Sequence, residues 1–472
     1  MEVQRVQEVA LHDIEQALRE SSQSSRSMVD HAWYFAQSAH TDQKRLSGEP
    51  FFQHPAHVAH FLAMAGADTP TVVSALLHDT IEDAGISAEE LEAHFGNEVR
   101  FIVEGVTKLG EIKYTGDEAY AEQLRRLFLA ASGDVRVLLI KLYDRLHNMQ
   151  TNHMHPQERA WRKAQETLHI YAPIAEQLGM GQVKRDLEDL AFPYVQPEDY
   201  EATMRLREAV IAERECAARE VASVLEKALK EKGVAASRTS VYAKGLYRLH
   251  TKLQRTAGVI EQIDDVCSVR FVVNTPVDCY RALGVVHSSM RAVPGRVRDY
   301  IAFPKSNGYQ GIHTAIYFGV STTEVQLCTA EMDAHSQHGI MNTARNTVRW
   351  LTDVSDMCAA LMTADPGALM KNIAQDFFGY RICVFTPQGD AIYLPTDACA
   401  VDCAYAIHSV VGDHIAAVRV NGRLVPPTTV LQNGDIVDIA TSASMHPDTA
   451  WLEHVKTTRA QLRIRESLCR TV

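Results

Sequence analysis

An apolar run from Val72 to Leu77 passes straight into His78-Asp79-Thr80-Ile81-Glu82-Asp83. Such a run has to be buried, so it delivers side chains that bind metals or move protons to the edge of a core. If the run is helical throughout, His78 and Glu82 are four apart, as are Asp79 and Asp83, and such positions share a face. One doublet can then hold a metal while the other, Glu82 and Asp83, orients or deprotonates a water. An isolated His-Asp pair is more often a cap or a surface pair. Here His54 lies upstream in Phe51-Phe52-Gln53-His54-Pro55, and Asp144 lies downstream in KLYDRLHNM (Lys141 to Met149). The expected metal set is therefore His54, His78, Asp79 and Asp144. Two imidazoles and two carboxylates suit Mn, Fe or Zn better than Ca and leave positions open for water and phosphate.

Residues 1 to about 195 repeat apolar positions at three and four and are rich in Ala, Leu and Glu, which predicts helices, one of them Met28 to His40. The loop 41–50 places Lys44, Arg45, Ser47 and Gly48 just before His54, a basic stretch suited to phosphate oxygens. Asn148 and Thr151 follow Asp144 by four and seven, on the same helical face. Pro197 to Lys232 reads as one long charged helix, started by Pro-Glu-Asp and stopped by Gly233. It either connects two modules or is simply a solvated helix. From about Ser237 the pattern turns to β-branched, alternating segments, Cys267–Asn274, Ile312–Phe318 and Thr323–Cys328, which predict a mixed sheet with helices.

The 472 residues suggest about three domains at roughly 150 residues each. No apolar run approaches the roughly 18 residues of a membrane span. The start MEVQRVQEVALHDIEQ carries charge where a secretion signal is greasy, so a cytoplasmic protein with no membrane partner is expected. The nine cysteines begin at Cys216, so thiolates are not expected at the metal, and the lone pair Cys399 and Cys403 does not make a zinc site. A net charge of −12 argues against a general nucleic-acid binder. Between Arg238 and His313, however, eleven Lys or Arg face five Asp or Glu, a local excess suited to polyphosphates.

His54, the HDTIED stretch and KLYDRLHNM, with SGEPF before them and GVTKLG (Gly105 to Gly110) between, resemble the hydrolase domain of long RelA/SpoT homologues. Those are bacterial enzymes of guanosine tetraphosphate and pentaphosphate metabolism, the chemistry of the stringent response. The resemblance implies an all-α HD hydrolase domain over 1–196. It implies Mn²⁺ on the metal set, with Glu82 and Asp83 handling the water. Arg45 and Ser47 of an Arg-x-Ser stretch would lie against the nucleotide, although Leu46 stands where relatives often have a second base. Asn148 and Thr151 would serve the guanosine and sugar end. IYAPIAEQLGM (Ile170 to Met180) and DLEDLAF (Asp186 to Phe192) are further signatures, read as core helices.

Residues 197–355, a linker helix and an α/β nucleotidyltransferase-like domain, resemble the family's synthetase, which moves pyrophosphate from ATP to the 3′-hydroxyl of GDP or GTP. Asp265 and Glu324 would be its carboxylates for Mg²⁺, needed only if it is active. Arg296 to Thr314 matches closely, implying Arg296, Arg298, Lys305, Asn307 and His313 at the phosphates and Tyr309 stacked on guanine, with Arg248 and Gln326 in the same site. Several positions depart from the family. Leu249 replaces the Lys after Tyr247-Arg248, and the basic Arg-x-Lys is not recognisable around Thr239 to Tyr242. Cys328 replaces an Arg. The helix pattern His-x-x-Ala-Glu-Tyr-Gly becomes Asp333-Ala-His-Ser-Gln337-His338-Gly339. Phosphoryl transfer relies on placed cations, and each lost donor costs on the order of 10²–10³ in rate. An impaired or silent synthetase is expected, with Lys244 or Lys252 as the bases that could substitute.

Residues 376–441 resemble the small β-grasp TGS domain, in which His408 matches a family histidine and the partner is tRNA or a protein regulator. A helical tail follows over 442–472. The later helical, zinc-finger and ACT parts of long members, and with them starvation sensing on the ribosome, are not expected. Three functions remain in view. The first is a pyrophosphohydrolase of ppGpp and pppGpp that at most binds guanine nucleotides at its synthetase-like domain. The second is a bifunctional synthetase/hydrolase. The third is a non-catalytic nucleotide- or tRNA-binding regulator.

Overall fold

The computed structural model describes residues 8–19, 22–107, 131, 133–260, 263, 265–305, 307–319, 321–342 and 381–470. The end of GVTKLG and the start of the TGS-like stretch lie outside them. Two units emerge, one holding the N-terminal helices and the sheet domain, the other holding the C-terminal module.

The apolar run forms a helix over Thr69–Leu77, capped by the Asp68 carboxylate, which accepts from Thr71 N. Apart from Pro70 its residues are buried, as befits a helix that is apolar all round. It is the fourth of a series: α1 Leu11–Ala17, α2 Gln23–Ala39, α3 Gln53–Met64, α4 Thr69–Leu77, α5 Thr80–Ala84, α6 Ala88–Thr107 and α7 Arg136–Gln150. Around α4 pack α2, α3 and α6, and α7 lies against α3. Then come α8 Gln157–Glu166, α9 Ala172–Gln177 and α10 Gly181–Val195, which contain the two core signatures.

The helix does not run through HDTIED. It stops at His78-Asp79, where Asp79 takes φ −96° and ψ −2°, and restarts as α5. Side chains account for the break: His78 Nδ1 lies 2.8 Å from Ala75 O, and Thr80 Oγ1 donates to Leu77 O at 2.6 Å. Local side-chain bonds of this kind compete with the helical ladder.

The long helix forms as expected, α11 Pro197–Glu231. Its second half is not solvated: Ala218, Val221, Leu225 and Leu229 are buried against the sheet domain. That sheet has the order β1-β2-β5-β4-β3, from Ala236–Ala243 (β1), Cys267–Val273 (β2), Arg298–Asp299 (β3), Ile312–Phe318 (β4) and Ser321–Thr329 (β5). Only β2 and β5 pair in parallel. Among the described residues, the helices α12 Leu246–Arg255, α13 Pro276–Ser289 and α14 Ala330–His338 accompany the sheet. Alternation sorts the strands. Val269, Phe271, Ile312, Ile316, Val325 and Leu327 enter the core with α11 and α13. Ser268, Arg270, His313, Glu324 and Gln326 take the other face.

The C-terminal module joins the hairpin Arg381–Phe385 (β6) and Ala391–Pro395 (β7) to the sheet β10-β8-β9, built from Ile415–Val420 (β8), Arg423–Val425 (β9) and Val437–Thr441 (β10). Asn421 (φ 52°) and Gly422 (φ 78°) make the expected β8–β9 turn. The tail is part of this core: Trp451, Val455, Ala460 and Ile464 are buried with Val401, Tyr405 and Val418. The buried Asp402 carboxylate accepts from Lys456 N and Thr457 N and holds the tail down.

Within the first unit, the end of α14 seats on the turn after α9. Gly339 (φ 57°, ψ −130°) makes that approach possible, since a Cβ would run into the Leu178 carbonyl oxygen and lie 2.7 Å from the Gly179 carbonyl carbon. Gly339→Ala is expected to destabilise this unit by about 2–4 kcal/mol, combining backbone strain with overpacking. The measurement is the denaturation midpoint of the full chain; an unchanged midpoint contradicts this account of the contact.

Candidate metal centre and phosphate-facing sheet

Four residues from three places meet at the break in the apolar helix. His54 comes from the first turn of α3, His78 and Asp79 from the break, and Asp144 from the middle of α7. One ligand atom each of His54, His78 and Asp144 lies within 4.8 Å of the others. Asp79 closes the ring, with Oδ1 3.1 Å from His78 Nε2 and Oδ2 3.7 Å from His54 Nε2. His54 Nε2 also lies 3.1 Å from Asp144 Oδ1.

Tautomers decide whether a cation fits. His78 Nδ1 is bound to a carbonyl oxygen, so it carries the hydrogen and leaves the Nε2 lone pair facing the centre, where that buried atom has no hydrogen-bond partner. His54 Nδ1 lies 2.8 Å from His147 Nδ1, and Arg45 Nη1 lies 3.0 Å from the same atom. A guanidinium only donates, so His147 Nδ1 is the acceptor and His54 Nδ1 the second donor. His54 Nε2 therefore also turns a lone pair inward. Burial, with His54 and Arg45 nearby, drives His147 far down and keeps it neutral. Imidazole nitrogens and carboxylate oxygens thus converge at the break, and a divalent cation fits that arrangement. Asp144 is held well below the usual carboxylate range: burial opposes this, but Lys141 and His54 outweigh it.

Glu82 and Asp83 are exposed at the mouth of the centre. Partial desolvation, reinforced at Asp83 by Asp79, raises both carboxyls above their ordinary values. Gln43 Nε2 donates to Asp83 O at 2.6 Å and ties the basic loop to α5. From that loop Arg45 Nη2 donates to Asn148 Oδ1 at 3.0 Å, and Asn148 Nδ2 donates to Asp144 Oδ1 at 2.5 Å. Arg45 and Asn148 are therefore brought to the metal set. Ser47 is exposed in the turn, and Thr151 Oγ1 folds back toward the His147 and Asn148 carbonyls. His147 was not singled out from the sequence, though it follows Asp144 by three residues.

On the sheet, register aligns a second group. Ser240 pairs with Arg270, Arg270 with Gln326, Gln326 with His313 and His313 with Arg298. Gln326 Nε2 donates to Glu324 Oε2 at 2.9 Å, His313 Nδ1 lies 3.2 Å from Glu324 Oε1, and Tyr309 Oη lies 2.6 Å from His313 Nε2. Burial would raise the Glu324 carboxyl, but the His313 contact drives it far down. A cavity of about 360 Å³ opens beside them, lined by Lys252, Arg255, Asp265, Arg296, Arg298 and Glu324. Lys244 and Lys252 both contact Asp265 Oδ2, while Asp265 Oδ1 is buried without a partner, a donor set that suits a divalent cation with Glu324. Lys305 Nζ sits 4.7 Å and 5.1 Å from the Tyr300 and Tyr309 ring centroids. Asn307 Nδ2 instead donates to Glu176 O at 2.8 Å, across to the helical domain. Arg248 carries an exposed side chain on α12. In the C-terminal module, exposed His408 caps a short helix, its Nδ1 accepting from Val410 N at 3.2 Å.

Family comparisons match HD domain over residues 32–181, the region found in RelA / SpoT proteins over 242–346, and TGS domain over 382–441. A guanosine-3′,5′-bis(diphosphate) 3′-pyrophosphohydrolase of Aquifex aeolicus is 37% identical over 98% of this chain and 67% of its own length. The chain belongs to the RelA/SpoT family. A GTP pyrophosphokinase of Myxococcus xanthus is 38% identical over 93% of this chain, and a probable 3′-pyrophosphohydrolase of Synechocystis is 37% identical over 96%. The chain spans 60% and 62% of those two RelA/SpoT proteins. Among solved structures, a metazoan SpoT orthologue that hydrolyses ppGpp aligns with 36% of this chain and 94% of its own at 22% identity (TM-score 0.27). The small alarmone synthetase 1 of Bacillus subtilis bound to pppGpp aligns with 34% of this chain and 97% of its own at 14% identity (TM-score 0.26). Family membership rests on the sequence relatives alone. No described helix is long and apolar enough to cross a membrane.

The positions that depart from the RelA/SpoT pattern have distinct surroundings. Leu249 is fully buried in the core. Cys328 lies on the polar face of the sheet, in a small apolar cluster with Val272 and Met332. Asp333, at the position of the family histidine, is buried and contacts both Arg238 and Arg270, the latter also bonded to Gln326 Oε1 at 2.9 Å.

His147 meets His54 at Nδ1 and not at the Nε2 that approaches Asp144, so it is expected to position a metal ligand rather than to be one. His147→Ala is expected to weaken divalent-cation binding about 10–100-fold, the usual cost of losing such a partner. Isothermal titration of the metal-stripped protein with Mn²⁺ measures it; wild-type affinity in the variant contradicts the role.

Proposed function

We propose that this protein is a metal-dependent 3′-pyrophosphohydrolase of ppGpp and pppGpp whose pyrophosphate-transfer site is impaired. The convergence of His54, His78 and Asp144, with Asp79 beside the two imidazoles, carries this proposal, and the names of the relatives in Aquifex and Synechocystis support the substrate. His54, His78, Asp79 and Asp144 would hold the ion, proposed to be Mn²⁺, which when bound polarises a phosphoryl oxygen and makes water more acidic. The chain's own residues do the rest. Arg45 and Asn148 orient the nucleotide beside Asp144, with Ser47 and Thr151 at its edges. Glu82 and Asp83 align the attacking water and take its proton, a task suited to carboxyls whose proton affinity is raised. The water oxygen bonds to the phosphorus next to the ribose, the bond from that phosphorus to the 3′ oxygen breaks, and the 3′ oxygen regains a proton. The products are pyrophosphate with GDP or GTP.

Impairment of transfer is supported by three particulars: Leu249 faces the core, Cys328 is buried in an apolar cluster, and Asp333 neutralises Arg238 and Arg270. One observation favours a bifunctional enzyme instead. Lys244 and Lys252 flank Asp265 at the mouth of the sheet cavity, where they could replace the missing base.

Asp79→Ala is expected to lose both metal and turnover. Glu82→Gln is expected to retain metal and lose roughly 10²–10⁴ in rate, the range of general-base catalysis; normal hydrolysis by this variant removes Glu82 from the proton path. Incubation of the purified chain with Mn²⁺ and ppGpp, and separately with Mg²⁺, ATP and GDP, separates the functions. Pyrophosphate in the first and no ppGpp in the second is the expected pair. New ppGpp establishes the bifunctional enzyme, and silence in both leaves a nucleotide-binding regulator.

A further inference from the structure

The carboxylates Glu82 and Asp83 ride on α5, a helix of five residues. A helix that short does not hold its place by its own ladder. Asp83 N donates to Asp79 O at 2.9 Å and Ile86 N to Thr80 O at 3.1 Å, bonds that stay within the segment. The Asp83 carbonyl belongs to the end of the helix, where carbonyls lack an intrahelical partner. It accepts at 2.6 Å from the Nε2 of Gln43, 40 residues earlier in the chain.

Gln43 is itself held at each of its polar atoms. Its N–H donates to His40 O at 3.1 Å, and its carbonyl accepts from Phe51 N at 2.9 Å. Its side-chain nitrogen faces a carbonyl, which turns Oε1 toward His40 Nδ1 at 2.8 Å. An amide oxygen only accepts, so His40 Nδ1 carries the hydrogen. His40 is buried at the C-terminal end of α2, with its ring centroid 4.9 Å from that of Phe51. Its Nε2 is buried with no hydrogen-bond partner. A bare buried nitrogen destabilises the core. What the ring supplies in exchange is a fixed orientation of the Gln43 amide.

Gln43 also stands at the root of the basic loop. Within that loop Arg45 N donates to Glu49 O at 3.0 Å, and the Arg45 side chain reaches Asn148 and His147 beside Asp144. One side chain therefore joins the loop that would hold the nucleotide to the helix that would take the proton of the water. We propose that Gln43, its amide oriented by His40, is a positioning residue for hydrolysis that holds Glu82 and Asp83 in register with the nucleotide loop and the metal set. The loop keeps its own anchors at Arg45 and Phe51, so loss of this strut moves the carboxylates and not the substrate. The proposal rests on the hydrolase function proposed above for its effect on rate, but not for the tie between the loop and α5.

The test uses the full chain with Mn²⁺ and ppGpp. Gln43→Met keeps the length of the side chain and removes its polar atoms. It is expected to lower kcat about 10–100-fold, between the worth of one hydrogen bond and the cost of a misplaced reacting group, with KM and Mn²⁺ affinity near those of the wild type. His40→Phe keeps a ring on Phe51 without the donor and is expected to lower kcat about tenfold. His40→Asn, whose amide nitrogen can stand where Nδ1 stands, is expected to recover most of that loss. Wild-type kcat in Gln43→Met overturns the proposal, as does a rise in KM with kcat unchanged, or an equal loss in His40→Phe and His40→Asn. Amide hydrogen exchange over residues 79–86 reads the strut without turnover and is expected to be faster in Gln43→Met and His40→Phe than in the wild type. Faster exchange in these variants of a protein inert toward ppGpp keeps the strut and removes the hydrolase function. Unchanged exchange beside normal ppGpp turnover in every variant does the reverse.

Discussion

Everything at the metal centre depends on one interruption of one buried helix. Had α4 continued, His78 and Asp79 would have spent their backbone carbonyls and amides on the ladder and pointed their side chains 100° apart. Instead His78 Nδ1 takes the Ala75 carbonyl and Thr80 takes that of Leu77. That satisfies the carbonyls a broken helix would leave bare in an apolar setting. It also fixes the imidazole tautomer, so the structural bond and the ligand geometry are the same event. The surrounding helices are buried enough that the inward lone pairs have no water-rich alternative, and His147 repeats the device for His54 from a different helix.

The second site depends on register rather than on a break. A shift of β5 by one residue against β2 would send Gln326 into the core and bring Leu327 to the polar face. The apolar partners supplied by α11 and α13 exclude that shift. The same helix that reads in the sequence as a solvated connector is therefore what holds the polar row in place.

Much of this is legible in the chain itself. HDTIED after an apolar run, His54 and the Asp144 helix announce a metal set because ligand chemistry needs those residue types near apolar support. The β-branched segments announce the sheet because alternation is local. What is not legible depends on partners far away in sequence. His147 owes its role to His54, 93 residues earlier, and Arg270 owes its fixed position to Asp333, 63 residues later. The helix break is hidden because i,i+4 spacing survives a two-residue interruption well enough to look continuous. The tail reads as a separate basic helix because its charges are visible and its anchoring carboxylate, Asp402, is not adjacent.

The basic residues around the sheet and those along α8 differ in how their charge is compensated. Around the sheet, buried Asp333 is shared by exposed Arg238 and mostly buried Arg270. A buried carboxylate between two guanidiniums must be matched or displaced by any incoming phosphate, and extracting it leaves an uncompensated charge. A polyphosphate therefore gains little from those arginines. Along α8 the His155 imidazole beside Lys163 is neutral, so that ammonium meets an uncharged partner rather than a carboxylate. The same number of basic residues can thus make a weak site or a strong one, depending on whether the fold has already given them a carboxylate. On this physical ground the proposed loss of pyrophosphate transfer needs no loss of packing: the sheet and its core stay intact while its arginines are spent on Asp333.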